Sequence, residues 1–530
     1  MTRHAGSVGA GLTTARAARP IPAGDRLHVV GVGGAGASAA ALLAHAAGAV
    51  VSGCDSGGPS PYTPALDAAG ISLIWVHDAA HVTNAPRPGR LAVTKALTAI
   101  DPDHPELRAA HAAGIPTEPW QQVVADVAYG RQLVAVAGTH GKSTTAGWLV
   151  HVLVEAGLDP AAFVGALLSP ALTGGVAGTA RWGRGRPFVV EADEYAGNFD
   201  AYRPDIAIVT GAEWDHPDVF ADGPAVVDAF VTWLRSSPAG ATVVVNVGDT
   251  GGAAVAERLA TTHLRIVATA LVDQPPSTSR GLIRGIAERY ATVAGPAQVL
   301  LGRITASRPS GTDLELHGLD PLAGPLLARL SSAGRHNAAN ALGVAGAALQ
   351  VGADPTTILA GLASFGGVGR RLERKGEIGG VVVYDDYGHH PTAIRETIGA
   401  VRQREPGRRV WAVYEPLTFH RTAALLEPFA TALATADGVV VADIWAGRDP
   451  DTTVASAAGL AEAVRRVRSD IPVEAPGDVD ATAAFLARRV VSGDAVLVMG
   501  GGHSYRIAAG LLERLGATSP DGAPSGHTGA

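Results

Sequence analysis

The chain has 530 residues, 47% of them hydrophobic and 17% charged, with a formal net charge of −7. These numbers exclude a wholly disordered chain and leave room for three or four domains with sizeable cores. The negative balance argues against a general nucleic-acid binder, and a single cysteine, Cys54, excludes an intrachain disulfide and fits a reducing cytosol.

Residues 1–26 are rich in Ala, Arg and Gly and lack the apolar core of a secretory signal, so they are expected to be a flexible tail. Between Arg26 and Asp55 there is no Asp, Glu, Lys or Arg, a superficial likeness to a membrane span. Glycines at 31, 33, 34 and 36, with His28, Ser38 and His45, break it into strand, glycine turn, helix and strand. Gly31-x-Gly33-Gly34-x-Gly36 contains the G-x-G-x-x-G spacing of a dinucleotide turn, and Asp55 follows near the distance expected for an acid on a ribose. By itself the motif indicates NAD or a ligand-free βα turn. The first segment, 27–130, is about half the size of a full dinucleotide domain.

The second segment, 131–367, opens with the apolar strand Leu133–Ala137. It breaks into Gly138-Thr139-His140-Gly141-Lys142-Ser143, and a helix is expected from Thr144 to Glu155. Strand, glycine loop, Lys-Ser and helix is the layout of a triphosphate cradle: backbone N–H groups face the phosphates, the ammonium meets the outer ones, and the hydroxyl can ligate Mg²⁺. The first glycine of the common P-loop pattern would fall on Val136. The chain has three lysines, Lys95, Lys142 and Lys375, so a Lys in this loop carries weight. Two further strands, 187–191 and 205–210, run into Glu191-Ala-Asp193-Glu194 and Glu213-Trp-Asp215-His216. Ligands bind at this edge of an open parallel sheet, so these acids and His216 are candidates for Mg²⁺ and for acid–base work. Water-facing caps are the alternative. Gly334-Arg-His336-Asn337-x-x-Asn340 then opens a small-residue helix.

In the third segment, 368–516, strands at 380–386, 410–414, 438–442 and 495–499 alternate with helical stretches, another parallel sheet. Asp385-Asp386-Tyr387-Gly388-His389-His390-Pro391 lies just past the first of them, and Gly500-Gly501-Gly502-His503 past the last, where backbone could approach a ligand closely. Residues 517–530 are read as a second flexible tail.

Taken in order, the glycine turn, Gly138–Ser143, Glu191–Glu194, Asp215-His216, Gly334–Asn340, Arg370-Arg371 and Asp385–Pro391 resemble the Mur ligases of peptidoglycan synthesis, over about residues 27–515. The pattern is nearest the branch that attaches L-alanine to UDP-N-acetylmuramate. The resemblance implies an α/β protein of three domains: a Rossmann-like UDP-binding domain, a central P-loop ATPase domain with a mostly parallel sheet, and a Rossmann-like amino-acid-binding domain. It implies ATP and Mg²⁺ as cofactors and an acyl phosphate that the amine attacks. It places Gly31, Gly33, Gly34, Gly36 and Asp55 at the UDP-sugar; Gly138, Thr139, His140, Gly141, Lys142, Ser143 and Thr144 at the phosphates; Asn337, Asn340, Arg370, Arg371 and Asp386 elsewhere on ATP; Ser143, Glu191 and His216 at the metal; and Tyr387, His389 and Arg421 at the amino acid. Lys142, Glu191 and His216 are the residues it assigns to catalysis. A cytoplasmic enzyme in cell-wall synthesis, monomer or weak homodimer, without nucleic acid or membrane insertion, follows from the same likeness.

Sister ligases hold a second Mg²⁺ through a carbamylated lysine, and no lysine lies between Ser143 and Arg374 here. Around Glu415-Pro416-Leu417 relatives commonly have glutamine before the proline and histidine after it. Glu415 and Leu417 therefore raise a ligase of altered amine specificity, or the recycling ligase that attaches a tripeptide. A nicotinamide-dependent oxidoreductase using Gly31–Gly36 is the alternative of another class, and a nucleotide-binding protein without catalysis a further one.

Overall fold

The computed structural model describes residues 8–273, 279–320, 324–447, 449 and 451–518. Residues 1–7 of the first expected tail and 519–530 of the second lie outside that set. Two compact units divide the chain at Gly369 and Arg370.

The first unit holds two sheets. Five parallel strands stand in the order Ser72–Ile74, Val50–Cys54, Arg26–Val30, Arg90–Val93, Thr117–Pro119. The uncharged stretch after Arg26 is strand, turn, the helix Ala35–Ala46 and strand, as its glycines dictate. That helix is nearly all Ala, Ser and Leu on its buried side, so it packs close to the sheet. A Cβ on Gly36 would stand 2.1 Å from the Trp120 ring, which then meets Phe163 of the second sheet edge-on at 5.2 Å. Ser38 Oγ and Thr179 Oγ1, 3.0 Å apart, form another contact between these two sheets.

The second sheet has ten strands. Its centre is parallel: Gln132–Ala137 lies between Ile206–Val209 and Pro187–Glu191, and Thr242–Asn246, Arg265–Leu271 and Gln298–Arg308 continue one side. Antiparallel pairs, 161–168 with 178–181 and 311–317 with 326–330, close the two ends. The runs of Val, Ala, Ile and Leu in the central strands reflect burial on both faces.

Residues 8–25, expected to belong to a flexible tail, are laid along the first sheet instead. Thr13 N–H donates to Thr117 O, Gly9 N–H to Thr98 Oγ1, and the Arg16 guanidinium forks onto Glu118 and Asp126. The physical reason is charge: Glu118 and Asp126 are buried acids, and Arg90 and Arg16 together balance them.

The second unit is one six-stranded sheet in the order Glu373–Ile378, Val381–Asp386, Asp494–Gly500, Arg409–Glu415, Gly438–Ala442, Val473–Gly477, parallel except for its first pair. The helix Ser504–Thr518 runs past the expected boundary at 516. Among the described residues no helix is long and apolar enough to cross a membrane.

Arg90→Met should remove the inner cation from two buried acids and cost roughly 3–5 kcal/mol, read as a lower urea midpoint. An unchanged midpoint would mean that Arg16 alone suffices.

Candidate active site

The phosphate loop leaves the central strand Gln132–Ala137, and the helix Lys142–Glu155 starts directly behind it. Two glycines are required. Gly138 has φ +135° and a Cβ there would lie 2.0 Å from Thr210 Oγ1; Gly141 has φ +78° and a Cβ would lie 2.6 Å from Asn340 Oδ1. The loop is tied from the neighbouring strand end. Thr139 Oγ1 donates to Glu213 O and accepts from Glu213 N–H, both 2.9 Å, and His140 Nε2 stands 2.9 Å from Glu213 Oε2.

The Lys142 ammonium turns back into this loop. It donates to Gly138 O at 2.7 Å and to Glu194 Oε2 at 2.9 Å, with Asp193 Oδ1 at 3.5 Å. Burial favours losing its proton, but the charges of Glu194 and Asp193 outweigh that and hold its pKa well above the ordinary lysine value. Burial likewise opposes charge on Asp193, and Lys142 and His216 reverse it, so that carboxyl ionises below its ordinary range.

The expected metal residues fall into two neighbouring groups. Ser143 Oγ donates to Glu191 Oε1 at 3.0 Å, and Glu191 Oε2 accepts from Gly165 N–H at 2.6 Å. His216 instead clusters with Asp193 and Glu194, their donor atoms within 4.8 Å of one another. His216 has φ +55°, a left-handed conformation costly for a non-glycine residue, and Tyr195 packs against its ring at 4.9 Å. Asn198 Nδ2 holds Asp193 at 2.9 Å. Motif reading missed Asn198 and Thr210, since neither adjoins the loop in sequence. Asn340 lies against the phosphate loop, and its Nδ2 donates to Asn337 Oδ1 at 3.3 Å.

In the first sheet the turn forms as expected, and Asp55 holds it: Oδ2 accepts from Gly33 N–H at 3.0 Å and Oδ1 from Gly57 N–H at 2.8 Å. Gly31 has φ +81°, and Gly34 caps the following helix.

In the second unit, Asp386 is buried and also serves backbone, accepting from Leu372 and Gly388 N–H groups at 2.7 Å each. Arg370, at φ +57°, is tied within its own unit to Asp385 (3.2 Å), Gly500 O (2.9 Å) and Ser504 Oγ (2.8 Å), while its guanidinium and that of Arg371 both cover the Tyr387 ring. His389 stands edge-on to Tyr387 at 5.4 Å, and Arg421 is buried on the short helix Phe419–Ala424. The Gly500–Gly502 loop is glycine-rich because protein atoms crowd it. Cβ atoms there would lie 2.7 Å from Glu415 O, 3.0 Å from Leu417 Cδ2 and 2.7 Å from Trp445 Cγ. Leu417 therefore sits beside Gly501 and Tyr387, the expected amino-acid pocket.

Three family descriptions match the chain: "Mur ligase family, catalytic domain" at residues 26–132, "Mur ligase middle domain" at 136–348, and "Mur ligase, glutamate ligase domain" at 370–502. A UDP-N-acetylmuramate–L-alanine ligase from Mycobacterium sp. strain JLS is 39% identical over 508 residues, 93% of this chain and 97% of that protein. One from Kineococcus radiotolerans is 38% identical over 92% and 96%. The solved UDP-N-acetylmuramate–alanine ligase MurC of Thermotoga maritima superposes with TM-score 0.73 at 22% identity, over 93% of this chain and all of that one. The murein peptide ligase of Psychrobacter arcticus gives 0.67 at 24%, over 93% and 99%. At these identities the two structures establish the shared fold.

Burial pushes the Glu415 carboxyl up from 4.5 to about 7, against the pull of the Ser504 and His503 amides and of Arg370. The folded state thus keeps a proton that the unfolded chain releases between those values. The resulting stability is complete below pH 4.5 and is lost as pH rises through about 7. Asp385, raised to about 6 by burial, acts with the same sign. Glu415→Gln should lessen this decline, so its urea midpoint gains on wild type as pH rises; parallel curves would refute the burial effect.

Proposed function

The chain belongs to the Mur ligase family, and on that premise we propose that it joins L-alanine to the carboxylate of UDP-N-acetylmuramate with ATP, in peptidoglycan synthesis. The observation that carries this is the Lys142 ammonium, held among Gly138 O, Glu194 and Asp193 at a helix N-terminus, in a chain that aligns nearly end to end with ligases of that name.

Moving a γ-phosphoryl group onto a carboxylate brings anions together, and catalysis is mainly positioning and charge neutralisation. Lys142 would release Glu194 and turn to the outer phosphates, while amides of Gly138–Thr144 face the remainder. Mg²⁺ prefers oxygen ligands and keeps some waters. Ser143, Glu191, Asp193 and Glu194 supply such oxygens and His216 a nitrogen beside them, so the donor set fits. When bound, the ion would share the phosphate charge with Lys142. The carboxylate takes the phosphoryl group to become an acyl phosphate; the amine of alanine attacks its carbonyl carbon, and phosphate leaves as the amide forms. Arg421 would pair with the alanine carboxylate, with Tyr387 and His389 around it. Asn337 and Asn340 would lie near adenine, Arg371 or Arg370 near the γ-phosphate, and Asp386 near the ribose. Gly31–Gly36 and Asp55 would hold the UDP end.

Family membership sets aside the nicotinamide reading of Gly31–Gly36. Leu417 beside Tyr387 is the one observation that favours a different amine. We place the enzyme in the cytoplasm, where ATP is available, as a monomer or weak homodimer.

Phosphate release with ATP, Mg²⁺ and UDP-N-acetylmuramate against L-alanine, glycine, L-serine and the cell-wall tripeptide tests this. Release with L-alanine is expected; release only with the tripeptide would transfer the assignment to the recycling ligase. Lys142→Ala should lower turnover by a factor on the order of 10² or more in a protein that still folds, and wild-type turnover would end the proposal. His216→Ala should raise the Mg²⁺ concentration needed for half-maximal rate, and an unchanged titration would remove His216 from the metal site.

A further inference from the structure

Under the first sheet, away from the phosphate loop, lies a second constellation that the ligase chemistry does not use. Four of the chain's 18 histidines, its single cysteine and one glutamate converge there: His28, Cys54, His77, His81, His104 and Glu106. They come from two adjacent parallel strands, the segment that follows a third, and two short helices. His28 is on the strand Arg26–Val30, Cys54 ends Val50–Cys54, and His77 follows Ser72–Ile74. His81 is on the helix Ala80–Thr83, and His104 and Glu106 open the helix Pro105–Ala112.

Four of the six are buried, Cys54 and Glu106 at 0% exposed, His104 at 1% and His28 at 2%, and His77 and His81 are partly buried. Cys54 Sγ lies 3.3 Å from His28 Nε2 and 3.1 Å from Glu106 Oε1, His28 Nε2 lies 3.9 Å from Glu106 Oε1, and His81 Nδ1 lies 2.5 Å from that same oxygen. One donor atom each from His28, Cys54, His81 and Glu106 lies within 4.8 Å of all the others. A tetrahedral ion with ligands about 2.0–2.3 Å away has ligand edges of about 3.4 Å, and these separations bracket that value. Ser52 Oγ holds the other ring nitrogen of His28 at 2.9 Å, leaving Nε2 for the centre, the arrangement that orients metal-binding imidazoles.

A second observation is independent of those four. Both ring nitrogens of His104 are buried with no hydrogen-bond partner among the described residues, and Nδ1 lies 4.0 Å from Glu106 Oε2. An orphaned buried imidazole costs free energy. If Glu106 gives Oε1 to an ion, Oε2 becomes free to settle onto His104, which then supports the ligand from outside.

We propose that His28, Cys54, His81 and Glu106 form a structural site for a borderline-soft divalent cation, Zn²⁺ by its sulfur, nitrogen and oxygen donors, supported by His104. Mg²⁺ would not choose a thiolate and two imidazoles. On binding, the Cys54 thiol gives its proton to solvent and its sulfur becomes the ligand. The site would tie two neighbouring strands of the first sheet, Arg26–Val30 and Val50–Cys54, to the helices Ala80–Thr83 and Pro105–Ala112.

The test uses full-length protein, stripped with a chelator and dialysed, then titrated with Co²⁺ and afterwards Zn²⁺. A near-ultraviolet thiolate-to-cobalt band is expected, with visible tetrahedral bands, saturating at one ion per chain and displaced by Zn²⁺. Since Cys54 is the single cysteine, such a band reports this site and no other. His104→Asn should weaken Zn²⁺ by roughly 10- to 100-fold, as loss of an outer partner does, and Cys54→Ser should abolish the band. Folded wild-type protein that takes up Co²⁺ without the band, or takes up none, overturns the proposal and leaves a metal-free hydrogen-bonded cluster. Zn²⁺ affinity unchanged in folded His104→Asn overturns the supporting role of that imidazole.

Discussion

The Lys142 ammonium, buried between a loop carbonyl and two carboxylates, is the interaction around which the first unit is organised. It needs a strand that ends in a glycine loop and a neighbour that runs into acids, here Asp193 and Glu194 just past Pro187–Glu191. The ten-stranded sheet supplies this because Gln132–Ala137 runs between Ile206–Val209 and Pro187–Glu191. Parallel pairing puts all three C-terminal ends at the same edge. An antiparallel neighbour would have carried its acids to the opposite edge. A compact ammonium suits the place, since it accepts partners from several directions and can exchange carboxylates for phosphate without a planar fork to realign.

Around that centre, many polar groups that a motif reader would assign to ligands are already holding backbone. Asp55 closes the glycine turn and Asp386 closes the loops at 372 and 388. Preorganisation explains this. A binding loop works best when its amides already point in a fixed direction, and carboxylates such as those of Asp55 and Asp386 hold loop amides that way. The same principle accounts for the positive φ at His216 and Arg370, which surrounding contacts over-determine.

Much of this was legible in the chain. Short apolar runs bounded by Gly, Asp, Glu or Thr marked the central strands, and the uncharged stretch after Arg26 resolved into strand, turn and helix because clustered glycines with His28, Ser38 and His45 interrupt its apolar run. What escaped was long-range and electrostatic. Nothing in the Ala/Arg/Gly composition before Arg26 says that Arg16 faces Glu118 and Asp126, about a hundred residues on. The Gly500–Gly502 loop read as room for a ligand, yet Glu415, Leu417 and Trp445 occupy its sides. His28, Cys54 and Glu106 lie far apart in the chain, so no local spacing marked their cluster with His81; strand order brings them together.

The sequence by itself determined the three α/β segments, the phosphate loop and the order of acids along the chain, because glycine freedom, hydrophobic period and local charge act over a few residues. The tertiary structure alone decided which acids meet Lys142, that Asp193 rather than Glu191 joins His216, that residues 8–25 are pinned to the first sheet, and that His28, Cys54, His81 and Glu106 converge from two strands and two helices. Those outcomes depend on which strands become neighbours, and that is set by packing the whole core.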